Sequence, residues 1–253
     1  MYELYNDHLS RLQDTGKYRK LPELHLGTKK LYLDFSTNDY LGLSKNQDLL
    51  DAAIDAGKIY GVGSTGSRLL SGNYKIFELL EYQIAKDKGT EAALVFNSGF
   101  QTNLTVLSTL LDQKILGTKP IVFFDKLNHS SLYQAIFLSG AELVRYHHND
   151  MEHLSTLLKK YINDKRPKFI VTETIFGMDG DIAHIGEIVA LADEAKAFLY
   201  LDEAHATGVI GPKGYGLSPK LDLTDIPHII MGTFSKALGC SGGYIACSQI
   251  LKD

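Results

Sequence analysis

Residues 198–205 read Phe198-Leu199-Tyr200-Leu201-Asp202-Glu203-Ala204-His205. Four apolar side chains in succession, with no polar alternation, describe a strand buried on both faces, and such strands belong to parallel sheets covered by helices. Working outward, Ile188, Leu191, Ala192 and Ala195 recur at helical spacing just before it. Further strands read at Phe169-Ile170-Val171-Thr172, Ile121-Val122-Phe123-Phe124, Ala92-Ala93-Leu94-Val95-Phe96, Ile229-Ile230-Met231-Gly232 and residues 243–247. Helical spacing marks Leu154, Leu157, Leu158, Tyr161 and Ile162, as well as Leu132, Ala135 and Ile136. It recurs at Leu104, Leu107 and Leu111 and at Ile76, Phe77, Leu80 and Ile84. Strands alternating with amphipathic helices predict a three-layer α/β/α sandwich with a mostly parallel sheet. Ligands of such sheets lie beyond the carboxyl ends of the strands.

The flanks are less regular. Residues 1–20 suggest one marginal amphipathic helix ended by Gly16, residues 31–36 a strand, 38–43 a turn and 48–59 a helix. The expected organisation is an N-terminal arm over residues 1–38, made of a helix and short strands, and a large domain over 39–253. After the last strand only Gln249-Ile250-Leu251-Lys252-Asp253 follows, too short for a stable helix of its own, so a truncated product is expected.

Composition narrows the function. A chain of 253 residues with 44% hydrophobic residues can bury a large core, and 26 basic against 30 acidic residues give a net charge of −4. That balance offers no support for a nucleic-acid or anionic-membrane partner. Cys240 and Cys247 fit neither a zinc spacing nor a disulfide framework, and no export signal or long apolar run is seen, so a cytoplasmic protein is expected. His147, His148 and His153 lack the partners of a metal motif and read as surface histidines; no metal is expected.

Polar residues gather at the predicted strand ends. Gly61-Val62-Gly63-Ser64-Thr65-Gly66 has dinucleotide spacing but follows a helix instead of a strand, so the dinucleotide reading fails. Asp202-Glu203-Ala204-His205 spells a helicase box, yet no phosphate loop of the GxxxxGK[ST] type accompanies it. Phe96 leads into Asn97-Ser98-Gly99-Phe100, where a helix N-terminus offers an anion site or an ordinary turn. Phe124 leads to His129, a ring that could lie flat on an aromatic ligand or cap a helix. Thr172 leads to Glu173, and Leu201 to Asp202, which is placed to hold a proton on a ring nitrogen, with His205 in reach. In Thr233-Phe234-Ser235-Lys236-Ala237-Leu238-Gly239 a lysine stands at a strand end; a desolvated amine there could condense with a carbonyl. An anion site, a ring stacker, a carboxylate and an amine match the phosphate, ring, pyridine nitrogen and aldehyde of pyridoxal 5′-phosphate.

These residues, with Asn38-Asp39-Tyr40-Leu41-Gly42-Leu43, residues 61–72, Asp125 to Ser130 and Met178-Asp179-Gly180-Asp181, resemble the α-oxoamine synthases, fold-type I pyridoxal-phosphate enzymes. The resemblance implies the large domain of that fold, without the C-terminal small domain that family members carry. It implies Lys236 as the Schiff-base lysine, Asp202 as partner of the pyridine nitrogen, His129 as ring stacker and His205 facing the phenolic oxygen. Thr233 and the Gly99 and Phe100 backbone would hold the phosphate, while Asn38 and Arg19 would meet substrate carboxylates. Gly177 stands where the family commonly has serine. Residues 63–72 look most like the branch that condenses L-alanine with a pimeloyl thioester, on coenzyme A or acyl carrier protein. That reaction gives 8-amino-7-oxononanoate, CO2 and free thiol in biotin synthesis. They look less like glycine C-acetyltransferase or 5-aminolevulinate synthase. A homodimer is implied, and the different-class alternative is a cofactor-holding fragment inactive without its C-terminal part.

Overall fold

In a computed structural model, residues 1–21 and 34–253 are described. They fall into two compact units, Met1–Thr37 and Asn38–Asp253. In the first, α1 (Tyr2–Asp14) is the expected helix, and Gly16 adopts φ +66° just beyond it. The strand expected over 31–36 lies partly outside the described residues, and residues 34–36 do not form one.

The second unit opens with α2 (Gln47–Tyr60), capped by Asn46, and α3 (Lys75–Lys88), which ends on Gly89 in the left-handed conformation. β1 (Ala92–Phe96) follows, then α4 (Gly99–Leu110), the short α5 (Gln113–Leu116), β2 (Ile121–Asp125) and α6 (Ser130–Ser139). β3 (Glu142–Tyr146), α7 (Met151–Lys160), β4 (Lys168–Glu173), α8 (Ile185–Ala195) and β5 (Phe198–Asp202) continue the alternation. β6 (His228–Thr233), β7 (Gly243–Cys247) and α9 (Gln249–Lys252) complete it.

The seven strands form one sheet in the order β1-β7-β6-β5-β4-β2-β3. β2 to β6 run parallel; β7 is antiparallel to both of its neighbours, β1 and β6. Strand alternation divides the core in two. Ile121, Phe123, Ile170, Leu199 and Leu201 meet α3, α7 and α8 on one face. Val122, Phe124, Val171, Tyr200 and Met231 meet α4 and α6 on the other. This is the expected three-layer sandwich, and the strand ends of β4, β5 and β6 are adjacent in it.

A buried ion pair steadies the turn after β5. Glu203, fully buried, accepts from Lys88 Nζ at 2.5 Å, from the N–H groups of Leu217 and Ser218 at 2.7 and 2.8 Å, and from Ser218 Oγ at 2.8 Å. Lys88 Nζ also donates to the Tyr215 carbonyl at 2.6 Å. Removing one partner of such a pair leaves an uncompensated charge in the interior. Lys88→Met is therefore expected to destabilise the protein by about 3–5 kcal/mol in urea unfolding, and a loss below about 1 kcal/mol would show that the pair does not hold this turn.

Candidate active site

The amine of Lys236 lies 2.6 Å from His205 Nε2, and His205 Nδ1 lies 2.7 Å from the Tyr40 hydroxyl. Tyr40 donates onward to Asn38 Oδ1 at 3.0 Å. With the phenol proton spent on Asn38, the neutral ring carries its proton on Nδ1, and the Nε2 lone pair faces Lys236. Burial, the charge of Lys236 and that of His129 push the His205 pKa down to about 4, so the ring is neutral at neutral pH. Burial also lowers the Lys236 pKa, against the pull of Asp202 and Glu173, which favours a neutral amine.

Asp202, the last residue of β5, is 3% exposed. Its Oδ2 accepts from Asn103 Nδ2 at 2.8 Å and its Oδ1 from the Ala204 N–H at 2.9 Å. Asn103 is itself fixed: its Oδ1 accepts from the Tyr200 hydroxyl at 2.8 Å, and its Nδ2 also donates to Ser131 Oγ at 3.0 Å. Glu173 ends β4 beside it and accepts from the His129 N–H at 2.5 Å. Burial and the charge of Asp202 hold the Glu173 carboxyl up at about 8, so it keeps a proton at neutral pH.

His129 is the N-cap of α6: its Nδ1 accepts from the Ser131 N–H at 3.3 Å and lies 2.7 Å from Ser131 Oγ. Sequence left capping and stacking open; capping uses one ring edge and leaves the faces of this exposed side chain available. Ser98 caps α4 by accepting from the Gln101 N–H at 3.1 Å, and the N–H groups of Gly99 and Phe100, in the first turn, have no intrahelical acceptor. A Cβ on Gly99 would come within 3.1 Å of Met231 and 3.5 Å of Thr233, so the backbone itself forms this edge of the site. The Thr233 hydroxyl, 3% exposed, donates to the Gly242 carbonyl at 2.8 Å. The exposed Ser235 hydroxyl, 2.8 Å away, was not anticipated and is the freer of the two.

Gly177 is explained by space. A Cβ there would meet His205 Nε2 at 2.3 Å and Cε1 at 2.7 Å, so the imidazole occupies the room that a serine side chain would need. Arg19 is an exposed residue of the first unit, whereas Asn38 belongs to the second and reaches His205 through Tyr40. A cavity of about 650 Å³ opens at the other end of the sheet, beside Phe198, His228 and Ser248, and contains none of the candidate residues.

The donor set suits pyridoxal 5′-phosphate. An amine whose pKa burial lowers, a buried carboxylate beside it, a neutral imidazole acceptor and free N–H groups at a helix start are what its aldehyde, ring nitrogen, phenol and phosphate require.

Comparison with known proteins agrees. The family described as aminotransferase class I and II matches residues 30–253. A protein of Paramagnetospirillum magneticum, provisionally named 8-amino-7-oxononanoate synthase, is 48% identical over 229 residues, which are 90% of this chain and 57% of that protein. A solved structure of SPT with a PLP internal aldimine superposes with a TM-score of 0.76 at 33% identity, covering 84% of this chain and 52% of that one. The 8-amino-7-oxononanoate synthase of Francisella tularensis superposes with a TM-score of 0.71 at 30% identity, covering 87% and 59%. The chain therefore spans little more than half the length of these relatives.

Proposed function

Because the chain belongs to the class I and II aminotransferase family, we propose that it holds pyridoxal 5′-phosphate at the ends of β4, β5 and β6 and works as an α-oxoamine synthase. The observation that carries this is the constellation of Lys236, His205 and Asp202, an amine with lowered pKa 2.6 Å from an imidazole acceptor and beside a buried carboxylate. When bound, the coenzyme supplies an electron sink for a carbanion at the amino acid's α-carbon.

The chain's own residues do the rest. Lys236 would hold the coenzyme through its aldehyde and, as a free amine, would take the substrate's α-proton. Asp202 would keep the ring nitrogen protonated, His205 would accept from the phenol through Nε2, and the exposed ring of His129 would stack on the coenzyme. The first-turn N–H groups of Gly99 and Phe100, with Ser235 and Thr233, would hold the phosphate. Asn38 would receive the substrate carboxylate.

The finer reading is condensation of L-alanine with a pimeloyl thioester to 8-amino-7-oxononanoate, in biotin synthesis, by a cytoplasmic homodimer. The name carried by the 48% identical relative supports it. Its test is a matrix of alanine, glycine and serine against acetyl, pimeloyl and palmitoyl thioesters of coenzyme A and acyl carrier protein. Alanine with a pimeloyl thioester is expected to give the highest kcat/KM; a preference for another pair would reassign the substrates. In a second reading these 253 residues hold the coenzyme without turnover. Coenzyme binding with no product from any pair would select it.

A further inference from the structure

By sequence His147, His148 and His153 read alike, but the structure separates them. The rings of His147 and His153 pair with each other, centroids 4.3 Å apart. The His148 side chain is only 18% exposed, with Nδ1 3.0 Å from Asp125 Oδ1 and Nε2 2.9 Å from Asp181 Oδ2. A neutral imidazole has a single N–H and cannot donate to both carboxylates; the imidazolium can.

Each partner belongs to a different loop of the site. Asp125, 1% exposed at the end of β2, accepts from the N–H groups of Leu127 at 2.9 Å and Asn149 at 3.0 Å, shaping the turn that delivers His129. Asp181 lies on the 176–182 loop, which carries Gly177 against His205. Asn149 reinforces the join, donating to Asp181 Oδ2 at 2.6 Å and to the Ile182 carbonyl at 3.2 Å. The Phe176 ring stands edge-on to His148, centroids 4.4 Å apart at 89°.

We infer that His148, as an imidazolium, is a positioning residue that ties the loop after β2 to the 176–182 loop and so fixes His129 and His205 about the coenzyme. The inference rests on the assignment of those two histidines to the coenzyme. The groups facing His148 are Asp125 from β2, Asp181 and Asp179 from the 176–182 loop, and the Tyr146 phenol of β3, which lies close enough to Asp125 to feel its charge. Burial works against the charged ring, but the hydrogen bonds and charges of Asp125 and Asp181 outweigh it and raise its pKa. The join is then complete below the ordinary imidazole value of about 6.5 and is lost as pH rises through the raised one.

The test begins on the full chain without coenzyme, by histidine-selective NMR and amide hydrogen exchange. His148, identified by the signal missing from His148→Gln, is expected to titrate above the ordinary imidazole value, and Asp181→Asn to lower that midpoint. Amides of residues 126–130 and 176–182 are expected to exchange about tenfold faster or more in His148→Gln, and in the unaltered chain above the midpoint once intrinsic base catalysis is subtracted. Unchanged exchange in both loops, or a midpoint indifferent to Asp181→Asn, overturns the inference. Should His148→Gln fail to fold, the pH series and Asp181→Asn still decide it. With pyridoxal 5′-phosphate added, the visible circular dichroism band of the held ring is expected to weaken about twofold or more in His148→Gln. A band equal to that of the unaltered chain at every pH overturns the positioning role. Failure of the unaltered chain to hold the coenzyme would instead sink the site assignment, leaving the exchange measurements to judge the join.

Discussion

Lys236→Ala is expected to leave a chain to which sodium borohydride fixes no pyridoxyl group, with turnover lower by roughly 10²–10⁴-fold from loss of the proposed general base alone. The first effect follows from chemistry. Alanine has no amine to join the aldehyde, while the phosphate, ring-nitrogen and phenol contacts stay in place, so coenzyme still binds but washes out. The second follows because Lys236 is the amine in the site whose pKa burial lowers, while His205, held at about 4, is too weak a base to take its place. An independent readout exists without coenzyme. The charge of Lys236 is one of the causes that depress His205, so its removal should raise the His205 midpoint from about 4. A borohydride-stable adduct persisting in Lys236→Ala would move the covalent anchor to another residue.

The features that were legible in the sequence are those carried by local pattern. Phe198 to Leu201, apolar without interruption, and the periodic helix before it gave the layer order, because burial on both faces and on one stripe leave different signatures. The edge strand Glu142–Tyr146 escaped notice, since all of it but Tyr146 is half-buried or exposed and Glu142 and Arg145 break the apolar run. The site divides in the same way. Asp202 ends β5, and His205 and Lys236 follow three residues past the ends of β5 and β6, where sequence already marks them as costly to bury. Tyr40 and Asn103 do not. They reach His205 and Asp202 across 165 and 99 residues of chain, and only the folded chain brings them there. His148 was misjudged for that reason too, its two carboxylates lying 23 and 33 residues away.

Asp202→Asn should keep the coenzyme bound within about tenfold of its original affinity while lowering turnover by roughly 10²–10³-fold, the scale for losing one aligned electrostatic partner of the reacting charge. The volume is conserved, but the local hydrogen bonding is not. Asn103 cannot turn to help, because its Oδ1 already accepts from Tyr200 and its Nδ2 must donate. The new amide therefore has to set its own N–H₂ against either Asn103 Nδ2 or the Ala204 N–H, donor against donor, at a stability loss of about 1–3 kcal/mol. Glu173 limits the damage. Its carboxyl is held at about 8 by burial and by the charge of Asp202; without that charge it falls, and part of the lost negative charge returns one strand away. The residual turnover of Asp202→Asn should accordingly rise with pH as Glu173 ionises, and the rise should vanish in the double variant Asp202→Asn with Glu173→Gln. Near-normal turnover in the single variant would show that protonating the ring nitrogen is not what Asp202 does. A pH-independent residue of activity would show that Glu173 does not stand in for it.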